Sequence, residues 1–169
     1  MSTAGDGSHT VMMASNNGKI VIEEGAEMTT LGDGSHGVAA YADTSAKGSV
    51  ANGAVEIGAG STIATAGDGS HGVFANMTGT GSVLSLDDNV GITTEGDASH
   101  GLLAQRGVVE AGDGLNISVE GSGSHGAYVN AATGSIEFLG GATIDNNDND
   151  GYAIYADKGT ITGTAGNST

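Results

Sequence analysis

Ile63-Ala64-Thr65-Ala66-Gly67-Asp68-Gly69-Ser70-His71-Gly72-Val73-Phe74-Ala75 consists of two short apolar segments joined by a glycine-rich hexapeptide, and the chain repeats that arrangement. Gly32-Asp33-Gly34-Ser35-His36-Gly37 carries the same hexapeptide. Gly96-Asp97-Ala98-Ser99-His100-Gly101 and Gly121-Ser122-Gly123-Ser124-His125-Gly126 are weaker copies, and Gly5-Asp6-Gly7-Ser8-His9 opens the chain. A sixth copy is degenerate and puts Tyr152 in the histidine position. The intervals from His9 to Tyr152 are 27, 35, 29, 25 and 27 residues, a period that belongs to repeat architectures.

Working outward from the histidine, the second following residue is Val11, Val38, Val73, Leu102, Ala127 or Ile154. The fourth is Met13, Ala40, Ala75, Ala104, Val129 or Ala156. Two apolar columns two residues apart have the period of a β-strand whose alternate side chains face one way. Between them stand Met12, Ala39, Phe74, Leu103, Tyr128 and Tyr155, a mixed column expected to be partly solvated. A second segment starts at a glycine (Gly18, Gly48, Gly81, Gly107, Gly134, Gly159), with Ile20, Val50, Val83, Val109, Ile136 and Ile161 two residues later. A third apolar position, Met28, Ile63, Ile92, Ile117 and Ile144, always precedes the histidine column by eight residues, and Met1 lies eight before His9.

In this alignment the stretch from histidine to glycine runs 7 to 12 residues and that from glycine to the third column 10 to 15. Fixed spacing in one part and slack elsewhere is what surface loops between strands produce. A single coil cannot bury its apolar face, whereas stacked coils share one core. The expected fold is therefore all-β: a parallel β-helix, a single solenoid of about six coils with three short strands each. With coils about 4.8 Å apart it would be a rod on the order of 29 Å long. Residues 1–169 read as one such domain, a fragment of a longer array whose end coils leave β-edges open to self-association.

Composition narrows the function classes. Four basic residues stand against twenty acidic ones, for a net charge of -16, so nucleic acid and anionic membrane surfaces are not expected partners. No apolar run reaches transmembrane length, and Met1-Ser-Thr-Ala-Gly-Asp6 has neither the basic nor the apolar part of a signal peptide. The 32 glycines lack the three-residue period and the proline of collagen.

The histidines His9, His36, His71, His100 and His125 would stack about 5 Å apart, near enough to share a metal or titrate together. The simpler reading is a corner residue bonded to the adjacent coil. Asp6, Asp33, Asp68 and Asp97 form a parallel column completed by Ser122 and Asn149. These are residues that build Asx- and Ser-type turns, and the calcium-binding Gly-Gly-x-Gly-x-Asp pattern is absent. Asp145, Asp148 and Asp150 with Asn146, Asn147 and Asn149 make a local acidic loop, a weak cation candidate. Neighbours on a strand point to opposite faces, so neither Glu23-Glu24 and Asp87-Asp88 nor Ser-His is a ready catalytic couple. Thr29-Thr30, Thr62, Thr65 and Thr93-Thr94 would suit an ice-binding face only if the coils were regular. No catalytic residue, metal ligand or cofactor is assigned.

The Thr-rich strand, the Gly-Asp-Gly-Ser-His-Gly corner and the apolar strand, as at 63–75 and again at Ile92–Ala104, resemble the passenger repeats of bacterial autotransporters along essentially the whole chain. The resemblance implies a right-handed β-helix, a signal peptide upstream and a C-terminal outer-membrane barrel, neither of which lies in 1–169. It implies a Gram-negative cell-surface or secreted location and a non-enzymatic stalk or adhesive surface meeting a host-surface, matrix or glycan receptor. A tail-fibre or tailspike segment and a fragment of a polysaccharide-active β-helical enzyme are the alternatives.

Overall fold

The computed structural model describes residues 1–14, 18–41, 53–78, 81–147 and 150–163. Within them the chain is a parallel β-solenoid with three walls, each six strands deep. The first wall holds Val11–Ala14, Val38–Tyr41, Val73–Asn76, the starts of Leu102–Ala111 and Ala127–Phe138, and Ile154–Ala156. The second holds Lys19–Ile22, Ala54–Ile57, Val83–Leu86, the ends of those two long strands, and Thr160–Gly163. The third holds Ser2–Thr3, Glu27–Thr30, Thr62–Thr65, Gly91–Thr94, Leu115–Val119 and Ala142–Asn146. All pairings are parallel and join one coil to the next, so the hydrogen bonds run along the axis of the rod.

The first and third walls have the register expected from the sequence. Val11, Val38, Val73, Leu102, Ala127 and Ile154 pair in succession, as do Met28, Ile63, Ile92, Ile117 and Ile144. Their side chains meet those of the second wall in one core containing Val38, Ile57, Ile63, Leu84, Ile92, Leu102, Ile117 and Ile136. Each such side chain contributes roughly 1.5–3 kcal/mol by leaving water. The alanines Ala40, Ala75 and Ala104 keep the interior narrow where the walls converge.

The second wall corrects the sequence reading. Ile20 pairs with Val55, then Leu84, Val109, Ile136 and Ile161 follow. Val83, expected in this column, lies one residue out: it is half-buried, while Leu84 is enclosed. A slip of one residue moves a strand's inward set to the other face, and burying leucine outweighs burying valine. Gly48 and Val50 lie outside the described residues, and the positions expected of them are filled by Gly53 and Val55. The glycine column becomes Gly18, Gly53, Ser82, Gly107, Gly134 and Gly159.

With that register, ten residues separate Gly18 from Met28, Gly53 from Ile63, Ser82 from Ile92, Gly107 from Ile117, and Gly134 from Ile144. All the length variation falls at one corner, between the histidine and glycine columns, where the spacing is 9, 17, 11, 7, 9 and 7 residues. The two slack stretches expected from the sequence are in fact one. At two of the shorter corners the strand runs on around the bend, as in Leu102–Ala111 with its register shift between Ala104 and Arg106, whereas the last corner separates Ile154–Ala156 from Thr160–Gly163.

The mixed column after the histidine is also less solvated than expected at its middle. Ala39, Phe74 and Leu103 are buried in a second apolar cluster flanked by Tyr41 and Tyr128, although Met12 is 51% exposed. Imidazole rings cover part of it, with His36 4.8 Å from Phe74 between ring centroids.

One corner residue departs from its column. Gly7, Gly34, Gly69 and Gly123 hold φ between 63° and 68°, and Ala98 takes the same turn at φ 53°. A side chain there crowds the carbonyl that follows. Ala98→Gly is therefore expected to raise the unfolding free energy by about 0.5–1 kcal/mol, the relief exceeding the entropy glycine adds to the unfolded chain. Paired urea melts would check it, and an unchanged or lower midpoint would contradict the turn geometry.

Candidate functional site: the histidine corner

The hexapeptide turns the chain from the third wall into the first. Thr65 closes it from inside, its hydroxyl donating to the Ser70 carbonyl at 2.7 Å, and Thr30 and Thr94 do the same for Ser35 and Ser99. These three threonines face the interior, while Thr62 is exposed, so the threonines do not form one outer face. Where Val119 replaces the threonine, Asn146 of the next coil donates its side-chain amide to the Ser124 carbonyl.

Ser35, Ser70, Ser99 and Ser124 are fully enclosed. Ser70 Oγ accepts the Ser35 N–H and donates to the Gly32 carbonyl, both at 2.9 Å. Ser99 repeats this with Ser70 and Gly67. A hydroxyl engaged in both senses with two backbone groups is a structural bolt, not an exposed nucleophile.

The aspartates form an outer ladder. Asp6, Asp33, Asp68 and Asp97 each accept, through Oδ1, the backbone N–H of the residue one coil on, at 2.9–3.0 Å. These bonds run from coil to coil, not within the local Asx-type turn expected of these residues. Asn149 and Asp148 lie outside the described residues. A second ladder was not anticipated from the sequence: Asp88 accepts the Asp113 N–H, and Asp113 accepts that of Gly141. Its signal was available in Gly112-Asp113-Gly114, which repeats the Gly-Asp-Gly triplet at a different corner.

The histidines are brought together as a continuous stack. Ring centroids of His9, His36, His71, His100 and His125 follow at 4.8–5.0 Å with interplanar angles of 7–14°. Nδ1 of each ring accepts the backbone N–H of the histidine one coil on, ending with Tyr152 on His125, at 3.0–3.1 Å. An Nδ1 that accepts must present its lone pair, so the ring proton of the neutral imidazole sits on Nε2. Burial, and then the neighbouring imidazoles, push His36 down to about 4 and His100 down to about 3; His71 is lowered well below the usual value for the same reasons. In this state the outward nitrogens offer N–H donors rather than lone pairs for a metal. Among the described residues no group of three or more His, Asp or Glu is placed to hold a metal ion.

On the far side, Glu23, Glu24, Glu56 and Asp87 line an open depression of about 500 Å³ with Val21, Ile22 and Ser85. Stacking thus gathers carboxylates that are adjacent or distant in sequence, although Glu56 is already held by Lys19 at 2.7 Å. Asp145 stands in the third wall beside Ser118, and Asn147 donates its N–H to the Val119 carbonyl, so part of the expected acidic loop is strand.

No protein-family model, no curated protein and no solved structure matches this chain.

Proposed function

We propose that this repetitive β-solenoid scaffold is a section of the stalk of an autotransporter-type surface protein, a non-enzymatic rod that holds binding surface away from a Gram-negative cell. One observation carries the reading: the side chains of the repeated motif are already committed to the coil stack. Threonine bonds the turn, aspartate, serine and histidine each accept a backbone N–H from a neighbouring coil, and the glycines allow the coils to touch. A sequence repeated for catalysis would leave nucleophiles or base lone pairs free, whereas these serine hydroxyls and imidazole Nδ1 atoms are engaged within the stack. The confinement of length changes to one corner also suits a rod whose scaffold is fixed and whose surface is free to differ.

The test is display. The chain is placed between an export signal and an outer-membrane barrel in a Gram-negative host, then probed on intact cells with antibody and proteinase K. Surface labelling with a protease-resistant core is expected, together with more adhesion to matrix- or glycan-coated plates than barrel-only cells show. Retention inside the cell, or display as a protease-sensitive chain, would sink the stalk reading. Folded display without added adhesion would leave the rod as a spacer. A sedimentation mass three times 16.3 kDa would instead favour a trimeric fibre.

A further inference from the structure

We propose that the histidine corner is a docking track for a neutral, linear, β-linked polysaccharide lying along the rod axis. The inference rests on reading the chain as a presented surface and names the ligand class that surface takes.

Among the described residues Nε2 of His36, His71 and His100 has no hydrogen-bond partner and no fully enclosed side-chain nitrogen lacks one, so these atoms form the outer edge of rings that are otherwise mostly buried. With the proton placed there by the Nδ1 contacts, they form a row of N–H donors stepping 4.8–4.9 Å along the axis. Beside the row lie the half-buried rings of Tyr41, 5.8 Å from His9, and Tyr128, 4.8 Å from His100, while Phe74 is enclosed behind His36. Tyr152 and Tyr155 continue it past His125. All four tyrosines of the chain stand in this band. Tyrosine offers a flat apolar face and a hydroxyl at once, the pairing that sugar rings with their C–H faces and hydroxyl rims require.

Periodicity and charge select among polymers. An extended β-1,4-linked hexopyranose chain advances one ring over nearly the height of one coil, and although alternate rings are turned over, each carries hydroxyls on both edges, so every donor can meet one. An extended peptide presents like groups on one edge every two residues, about 6.7 Å, and falls out of step by the second coil. A polyanion would run beside the exposed carboxylates Asp6, Asp33, Asp68 and Asp97, in a chain of net charge -16, and is repelled.

The experiment is native affinity electrophoresis of the chain in gels containing hydroxyethylcellulose, dextran or heparin. Retardation by hydroxyethylcellulose alone is expected. The triple variant H36N/H71N/H100N keeps an acceptor oxygen at the δ position for the backbone N–H and draws the remaining donor back from the place of Nε2. It should hold its β circular-dichroism spectrum and lose about tenfold or more in apparent affinity. Should that variant fail to fold, Y41A/Y128A, altered at half-buried side chains, carries the test with a several-fold loss. No retardation of the parent chain, equal retardation by dextran, retardation by heparin, or unchanged binding by a folded variant would each overturn the track. A displayed, protease-resistant chain that is not retarded overturns the track and leaves the stalk. A retarded chain that is never displayed does the reverse.

Discussion

Gly67→Ala is expected to destabilise the protein by about 3 kcal/mol or more, seen as a large fall in the urea midpoint. A Cβ at this position would run into the carbonyl of Gly32 and the amide nitrogen of Asp33, which are backbone atoms of the preceding coil. They cannot retreat without loosening the bonds that hold the two coils together. Those include the Asp68 N–H on Asp33 Oδ1 at 3.0 Å, the Ser35 N–H on Ser70 Oγ at 2.9 Å and the Gly34 N–H on the Asp68 carbonyl at 2.8 Å. Gly69→Ala is the control. Nothing lies within 4 Å of a Cβ there, and its only penalty is the φ of 64° that Ala98 already tolerates one coil on. It should cost only about 1 kcal/mol. Similar losses for the two would mean that turn conformation, and not coil contact, governs the corner.

The second large effect is an acid instability set by the imidazole stack. His36 and His100 titrate near 4 and 3 in the fold, against 6.5 when unfolded. Burial lowers them first, and like charge on His9 and His125 respectively lowers them further. Below 6.5 the unfolded chain takes protons that the folded chain refuses, so their stabilising contribution is complete above that value and is lost as pH falls toward about 4. Each ring removes up to about 1.4 kcal/mol per pH unit within that window. With His71 shifted the same way, the three central rings together approach a slope of roughly 4 kcal/mol per pH unit. Protonating Nδ1 would also replace an acceptor with a donor facing a backbone N–H, so the stack fails cooperatively. Urea melts from pH 8 to 4 should show a plateau and then a steep decline, shallower in H71N. A flat profile through this range would mean that the rings are not held neutral.

Much of this was legible in the sequence, and the part that was not has a physical cause. The third wall and the histidine corner are joined by an invariant eight residues, so the spacing itself served as a ruler for Ile63 and His71 alike. The second wall lies across the only corner of variable length. There Gly48-Ser49-Val50 and Gly53-Ala54-Val55 offer the same local pattern, and nothing short of the pairing with Ile20 and Leu84 separates them. Alternation alone could not decide between Val83 and Leu84, because both are apolar. At the corner, the residue types announced turns and ladders. Which hydroxyl faced inward, which ring nitrogen accepted and which carboxylates shared a depression depended on three-dimensional placement. The four threonines at 29, 30, 93 and 94 look alike on paper, yet Thr30 and Thr94 are fully enclosed.

The axial direction of the hydrogen bonds has a mechanical corollary. Tension applied to the two ends of such a rod loads the coils in series, and the bonds of a terminal coil part before those beneath it are strained. Each coil holds 25 to 35 residues between successive histidine positions. Drawn out at about 3.4 Å per residue, it releases roughly 85–120 Å of chain for the few ångströms it occupied when folded. A solenoid of this build lengthens by peeling, one turn at a time, and limits the force reaching whatever its surface holds.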